Sequence, residues 1–179
     1  EVHLSVTPKN GEFTADPSAD LAKAAIFYRH EPNPAIPPKG MGFIRGTKFR
    51  PNCAYASTIS HDCHNLLVVG MSDEAMTLAA NAVIEANGGI AIVVDNQVEA
   101  VLPLPLAGLM TPEPIESAAK KLNAIEDALK KAGSDDESIE MTMSLIGLIV
   151  IPELRISNHG LVELKGRDPM KIVDLIVRE

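Results

Sequence analysis

Aromatic residues are scarce in this sequence: no Trp, two Tyr and four Phe, or 3% of 179 residues. Such a chain lacks the row of stacking platforms on which single-stranded nucleic acid is held. Basic charge is short too. Sixteen Lys and Arg stand against 24 Asp and Glu, a formal charge of −8. Affinity for nucleic acid or an anionic membrane surface rests on clustered Lys and Arg, so neither partner is expected. Cysteine is limited to Cys53 and Cys63, with no C-x-x-C pair. Two free thiols in a reduced cytosol is the leading reading, and one disulfide in a secreted protein the alternative. No apolar run reaches the length of a membrane span. The longest, Ile139 to Ile151, is interrupted by Glu140, Thr142, Ser144 and Gly147 and stopped by Pro152. No signal peptide is visible, and residue 1 is Glu, so the true N-terminus is expected elsewhere.

What is present is a 46% hydrophobic composition, enough for one substantial core. Residues 2–6 alternate as a half-buried strand does, and Leu21 to Arg29, Met41 to Ile44, Cys53 to Ile59 and Leu66 to Gly70 read as further strands. Four prolines between Glu31 and Gly40 make that stretch an internal loop. Ser72 followed by Asp73 and Glu74 is an N-cap signature. Met76, Ala79, Ala80, Val83 and Ile84 then recur at helical spacing up to Gly88-Gly89. Ile90 to Val94 and Val98 to Leu102 predict a hairpin across Asp95-Asn96-Gln97. Thr111-Pro112-Glu113 predicts the start of a second helix, with stripe Ile115, Ala118, Ala119, Leu122, Ile125 and Leu129 ending near Gly133. Met141 to Leu148 reads as a short buried helix and Ile172 to Val177 as a last strand. The expected fold is one compact α+β (mixed α/β) domain over residues 1–179. Its sheet is mostly antiparallel or mixed, with about three helices.

The densest chemistry lies in His61-Asp62-Cys63-His64-Asn65, set between two apolar strands. These residue types can shuttle protons, ligate a metal or grip a substrate edge. Three readings stand on the residues alone: a polar turn that satisfies itself, a substrate or interface loop, and a metal site. The H-x-x-H with one Asp offers at most three ligands, and Cys63 has no separate feature marking it as a nucleophile. A cytidine-deaminase-type zinc site needs H-x-E and P-C-x-x-C, and neither is present. Gly88-Gly89 and Gly40-x-Gly42 match no phosphate-binding pattern and read as turns. Arg29-His30 and Arg45-Gly46 read as surface basic groups, with anion contact as the alternative. Leu104 to Met110 is an apolar irregular segment, either a docking surface or a loop lining the core. Glu153 and Arg155 form either an ion pair or a partner contact.

Three blocks together carry a resemblance. They are Ala56 to Gly70 with its His61-Asp62-Cys63-His64-Asn65, Leu102 to Met110, and Ile151-Pro152-Glu153-Leu154-Arg155-Ile156 followed by Gly160-Leu161-Val162. In this order and spacing the sequence resembles the C-terminal domain of bacterial and archaeal adenine deaminases over nearly its whole length. It departs from the usual family pattern at Cys63, where Ser is common, and at Ser60, where Ala is. The resemblance implies part of an amidohydrolase-superfamily enzyme that converts adenine to hypoxanthine and ammonia in the cytoplasm, in purine salvage. In that family an N-terminal (β/α) barrel holds manganese or iron. This chain has no H-x-H, and a barrel needs about 250 residues. No metal or catalytic residue is therefore expected here, and the isolated chain is expected to be inactive. His61, Asp62, His64 and Asn65 are expected to face the substrate pocket or the domain interface. The implied partners are the barrel, adenine and further copies in a homo-oligomer. The alternative is a free-standing, non-catalytic purine-binding or scaffold domain.

Overall fold

The computed structural model describes residues 1, 4–6, 8, 10–30 and 39–175. Six strands form the main sheet: β1 (Leu21–Phe27), β2 (Lys39–Arg45), β3 (Ala54–Ser57), β4 (Leu66–Gly70), β5 (Gly89–Val94) and β6 (Gln97–Pro103). Their order is β2-β1-β4-β3-β5-β6, and every neighbouring pair is antiparallel. With α1 (Asp73–Glu85), α2 (Ile115–Ala132) and α3 (Ile139–Ser144), the chain is the expected α+β domain.

Strand period 2 divides the core between the sheet's faces. On one face Ala25, Ala54, Ala56, Val68 and Ala91 meet Ala75, Met76, Ala79 and Val83 of α1. The small side chains on both sides bring helix and sheet close together. The other face carries Ile26, Tyr55, Leu67, Val69 and Ile92, covered by Ile125 and Leu129 of α2 and by Ile139 and Met143 of α3. Central strands covered on both faces lose the polar alternation of an edge strand, which is why β4 reads Leu-Leu-Val-Val-Gly and is buried throughout.

A second sheet completes that face: β7 (Leu154–Ser157), β8 (Gly160–Glu163) and β9 (Lys171–Val173), antiparallel in that order. Ile156 and Leu161 send it into the shared core. Glycine makes the approach possible: a Cβ on Gly40 of β2 would lie 1.8 Å from the Ser157 carbonyl oxygen. Only a residue without a side chain lets the β7–β8 turn rest on β2 there.

Several sequence expectations shift. Val2 and His3 lie outside the described residues, and Leu4–Val6 are exposed and outside any strand. Residues 31–38 of the expected proline loop also lie outside the described residues, and β2 begins at Lys39 rather than Met41. The hairpin turns on two residues, Asp95 (φ 50°) and Asn96 (φ 58°), as a turn with both central residues left-handed requires. Helix α2 starts at Ile115, after Pro114, because residues 111–114 form a turn in which Thr111 Oγ1 accepts from the Glu113 amide. Only the C-terminal half of its stripe is buried, since Ile115 is 76% exposed. Helix α3 is shifted toward the N-terminus, and the last strand stops at Val173, with Ile176 and Val177 outside the described residues. Strands β7 and β8 were not expected. Both cysteines are free thiols, Cys53 buried and Cys63 exposed. Among the described residues no helix is long and apolar enough to cross a membrane.

Candidate functional site

The His61–Asn65 segment joins the end of β3 to the start of β4, where the two central strands leave the sheet. It is a tight loop, with the His64 amide donating to the Ser60 carbonyl at 2.7 Å and His64 itself left-handed at φ 49°. Side chains from elsewhere hold it. Arg29, just past β1, donates from Nε to the His64 carbonyl at 2.6 Å and from Nη2 to the Ala107 carbonyl at 2.7 Å. One guanidinium thus ties this loop to the 104–110 segment. The His30 ring pairs through Nε2 with the Cys63 carbonyl at 2.6 Å. From the C-terminal end of α3, the Ser144 carbonyl accepts from the His61 amide at 2.9 Å. Thr58 Oγ1 donates to the Gly108 carbonyl at 2.6 Å and accepts from the Gly89 amide at 2.8 Å, fixing the other side of the 104–110 segment.

Ser144 Oγ donates to the Met141 carbonyl at 2.8 Å and lies 3.2 Å from His61 Nδ1. The His64 ring lies 5.6 Å from that of His61, centroid to centroid, and its Nδ1 is buried without a partner. Burial, then the neighbouring His61 and Arg29, hold the His64 pKa below its ordinary value, favouring the neutral ring. Burial also lowers the Arg29 pKa, but a guanidinium remains a cation.

Beside the loop lies an open cleft of about 480 Å³ between the main sheet and the small sheet. His61, Cys63 and Asn65 line it from one side, and Ser157, Asn158 and His159 of the β7–β8 turn from the other. Gly147 forms part of the wall, and a Cβ there would stand 2.7 Å from Ser60 Oγ. Of the residues picked out by sequence, His61 and Asn65 therefore meet on the cleft. Asp62 is exposed and His64 half-buried, and neither lines it.

Sequence reasoning set Arg29 and His30 on the surface and left His159 and Thr58 unassigned. A basic pair directly after a strand gives no hint that its partners are backbone carbonyls 33 to 78 residues away. The 104–110 segment does both things the sequence allowed: Leu104 is buried, whereas Leu106 and Met110 are exposed. Arg155 donates to the Leu154 and Pro152 carbonyls rather than to Glu153.

Among the described residues no three His, Cys, Asp or Glu side chains come together as metal ligands. The iron or manganese that the resemblance implies is assigned by it to the barrel, and the described residues of this chain offer no cluster to hold it.

A family model described as "Adenine deaminase C-terminal domain" matches residues 1–168. A relative from Moorella thermoacetica named adenine deaminase is 47% identical over 97% of this chain and 28% of its own length. Relatives of the same name from Clostridium botulinum and Rubrobacter xylanophilus are 41% and 42% identical over 100% and 93% of the chain. The chain spans 27–29% of the length of these relatives.

Proposed function

The chain belongs to the adenine deaminase C-terminal domain family, and from that premise we propose that it serves a longer enzyme hydrolysing adenine to hypoxanthine and ammonia. In this reading a barrel N-terminal to the chain holds iron or manganese and carries out the hydrolysis. The His61–Asn65 loop faces the barrel mouth, closes over the purine and excludes water, with His61, Asp62, His64 and Asn65 at the pocket or the domain interface. The enzyme works in the cytoplasm, in purine salvage, as a homo-oligomer.

The observation that carries the reading is the way the loop is held. Arg29 and His30 just past β1 and Ser144 of α3, from two separate parts of the chain, fix its backbone. That fixing keeps His61 on the open cleft, with the buried Asn65 forming part of its wall. A turn serving only to connect β3 and β4 needs no such support. What this chain contributes chemically is positioning: an imidazole, an amide and an aliphatic wall, all preorganised by backbone contacts.

The test is ammonia release from adenine by the longest polypeptide that carries this chain, beside the 179-residue chain alone. Release by the long form and none by the short form supports the proposal. Adenine binding without ammonia release by the long form would favour a non-catalytic purine-binding protein.

A further inference from the structure

The loop that joins β3 to β4 is ringed by groups that carry positive charge or can take it up. Arg29 is a permanent cation and grips the His64 carbonyl through Nε at 2.6 Å. The His61 ring stands 5.6 Å from that of His64, centroid to centroid, and His30 Nε2 meets the Cys63 carbonyl at 2.6 Å. Little negative charge opposes them. Among the described residues, the charged and titratable groups that act on His64 are His61 and Asp62 of its own loop and Arg29 and His30 from the segment after β1. Asp62 is the one carboxylate in that set, and it is exposed. The 104–110 segment, tied to the loop through Arg29, has no titratable side chain. The end of α3 meets the loop through the carbonyl and hydroxyl of Ser144.

His64 is poorly placed to carry a charge of its own. In a charged imidazole both ring nitrogens must donate. His64 Nδ1 is buried without a partner, so on protonation it becomes a charged donor facing no acceptor. Burial, then His61 and Arg29, already disfavour that form. An imidazole open to water escapes both effects and titrates near its ordinary 6.5.

We propose that the His61–Asn65 loop is a pH-sensitive latch, closed while the His64 ring is neutral and released at its His64 end when that ring takes up a proton. Release breaks the 2.7 Å bond from the His64 amide to the Ser60 carbonyl and withdraws the His64 carbonyl from Arg29. The ring then reaches water, where both nitrogens find acceptors. The His30 contact persists in both states, because Nε2 donates to a carbonyl whether or not that ring is charged. The open form binds the proton more tightly, so the loop loosens as pH falls through 6.5. Any bearing of the latch on turnover rests on the reading that this loop closes over a purine; the latch itself involves no adenine.

The experiment is amide hydrogen exchange, read by NMR on the 179-residue chain at pH 7.5 and pH 5.5. Rates are converted to protection factors so that the intrinsic pH dependence of exchange cancels. Both faces of the six-stranded sheet are covered by elements of this chain, which gives it a core of its own. On acidification the protection factor of the His64 amide should fall roughly fivefold or more, while those of Val68 and Val69 in β4 stay within about twofold. In His64→Asn, which tolerates the left-handed φ of 49° and does not titrate, the fall should vanish. Asp62→Asn should deepen the fall, because the one carboxylate that eases a charge inside the closed loop is gone. A His64 amide no more sensitive to pH than those of β4 overturns the proposal, as does a fall that survives in His64→Asn. Should that variant fail to fold, the unmodified chain and Asp62→Asn decide, and a shallower fall in Asp62→Asn overturns the proposal. Ammonia release by the longer polypeptide is a separate readout, so failure of the latch and failure of the functional reading are told apart.

Discussion

Replacing Arg29 with Met should loosen the candidate site without emptying the core. Methionine keeps the length of the stem and removes the guanidinium that bridges the His64 and Ala107 carbonyls at 2.6 and 2.7 Å. Hydrogen bonds from a charged donor contribute about 1.5–3 kcal/mol each when shielded. The His64 bond is partly buried and counts near the lower end of that range. The Ala107 bond is exposed and screened, and counts at about 0.5–1 kcal/mol. The expected loss is about 2–2.5 kcal/mol. For a chain of 179 residues that is a fall in Tm of roughly 4–10 °C. Hydrogen exchange gives the local reading: the His61 and His64 amides, which donate to Ser144 and Ser60, should exchange at least tenfold faster. Amides of β4 should change only by the global loss of stability. Arg29→Lys should fall between, since an ammonium keeps the charge and loses the fork that reaches two carbonyls at once. A Tm within about 1 °C of the parent, with loop exchange unchanged, would refute the idea that this guanidinium holds the site together.

Three further outcomes follow from the same structure. Gly40→Ala places a methyl group 1.8 Å from the Ser157 carbonyl, so the small sheet must retreat from β2; urea denaturation should show a loss of about 2–3 kcal/mol, and an unchanged midpoint would contradict the close packing. Burial raises the Glu140 carboxyl above its ordinary pKa, with Glu126 adding to the shift, and Oε1 is unpartnered. Because the folded pKa lies above the unfolded one, stability is full below pH 4.5 and is lost as pH rises through the folded value; Glu140→Gln should therefore raise Tm at pH 8 and leave it unchanged at pH 4, and no difference between those melts refutes the assignment. Glu163 pairs with Lys165 at 2.7 Å and with Lys171 at 2.8 Å, and hydrogen bonds from both hold its carboxyl down at about 2. Its contribution is present above pH 4.5 and fades as pH falls toward 2, so Glu163→Gln should flatten that limb of an acid melt, and an identical limb would count against the pairing.

The parts of the fold written in local sequence were legible. Strand β4 has an unbroken apolar run closed by Gly70, and α1 has Ser72, whose side chain accepts from the Ala75 amide as the cap signature requires. The small sheet was not legible for physical reasons. Strands β7 and β8 have four residues each, too few for a period to emerge, and Arg155 and Ser157 interrupt the only hydrophobic run. A sign was nonetheless available. Gly160, left-handed at φ 117°, follows Asn158 and His159 between Ile156 and Leu161, which is a hairpin signature on a very short scale. The stripe of α2 promised burial from Ile115 to Leu129, but helical period reports only which residues share a face. The chain as described covers that face from Ile125 onward. At the site, polar density between two apolar strands singled out the loop, of which His61 and Asn65 line the cleft while Asp62 and His64 do not. Arg29, His30, Ser144 and His159 reach it through chain reversals that no local pattern encodes.

If the proposed role of the His61–Asn65 loop in the turnover of adenine holds, it shows in the steady-state rate of ammonia release from adenine by the longer enzyme carrying His61→Ala, with metal content determined on the same preparation. Turnover is expected to fall at least tenfold, with metal content and Tm close to those of the parent. Unchanged turnover accompanied only by a lowered Tm would contradict it and leave the loop a structural turn.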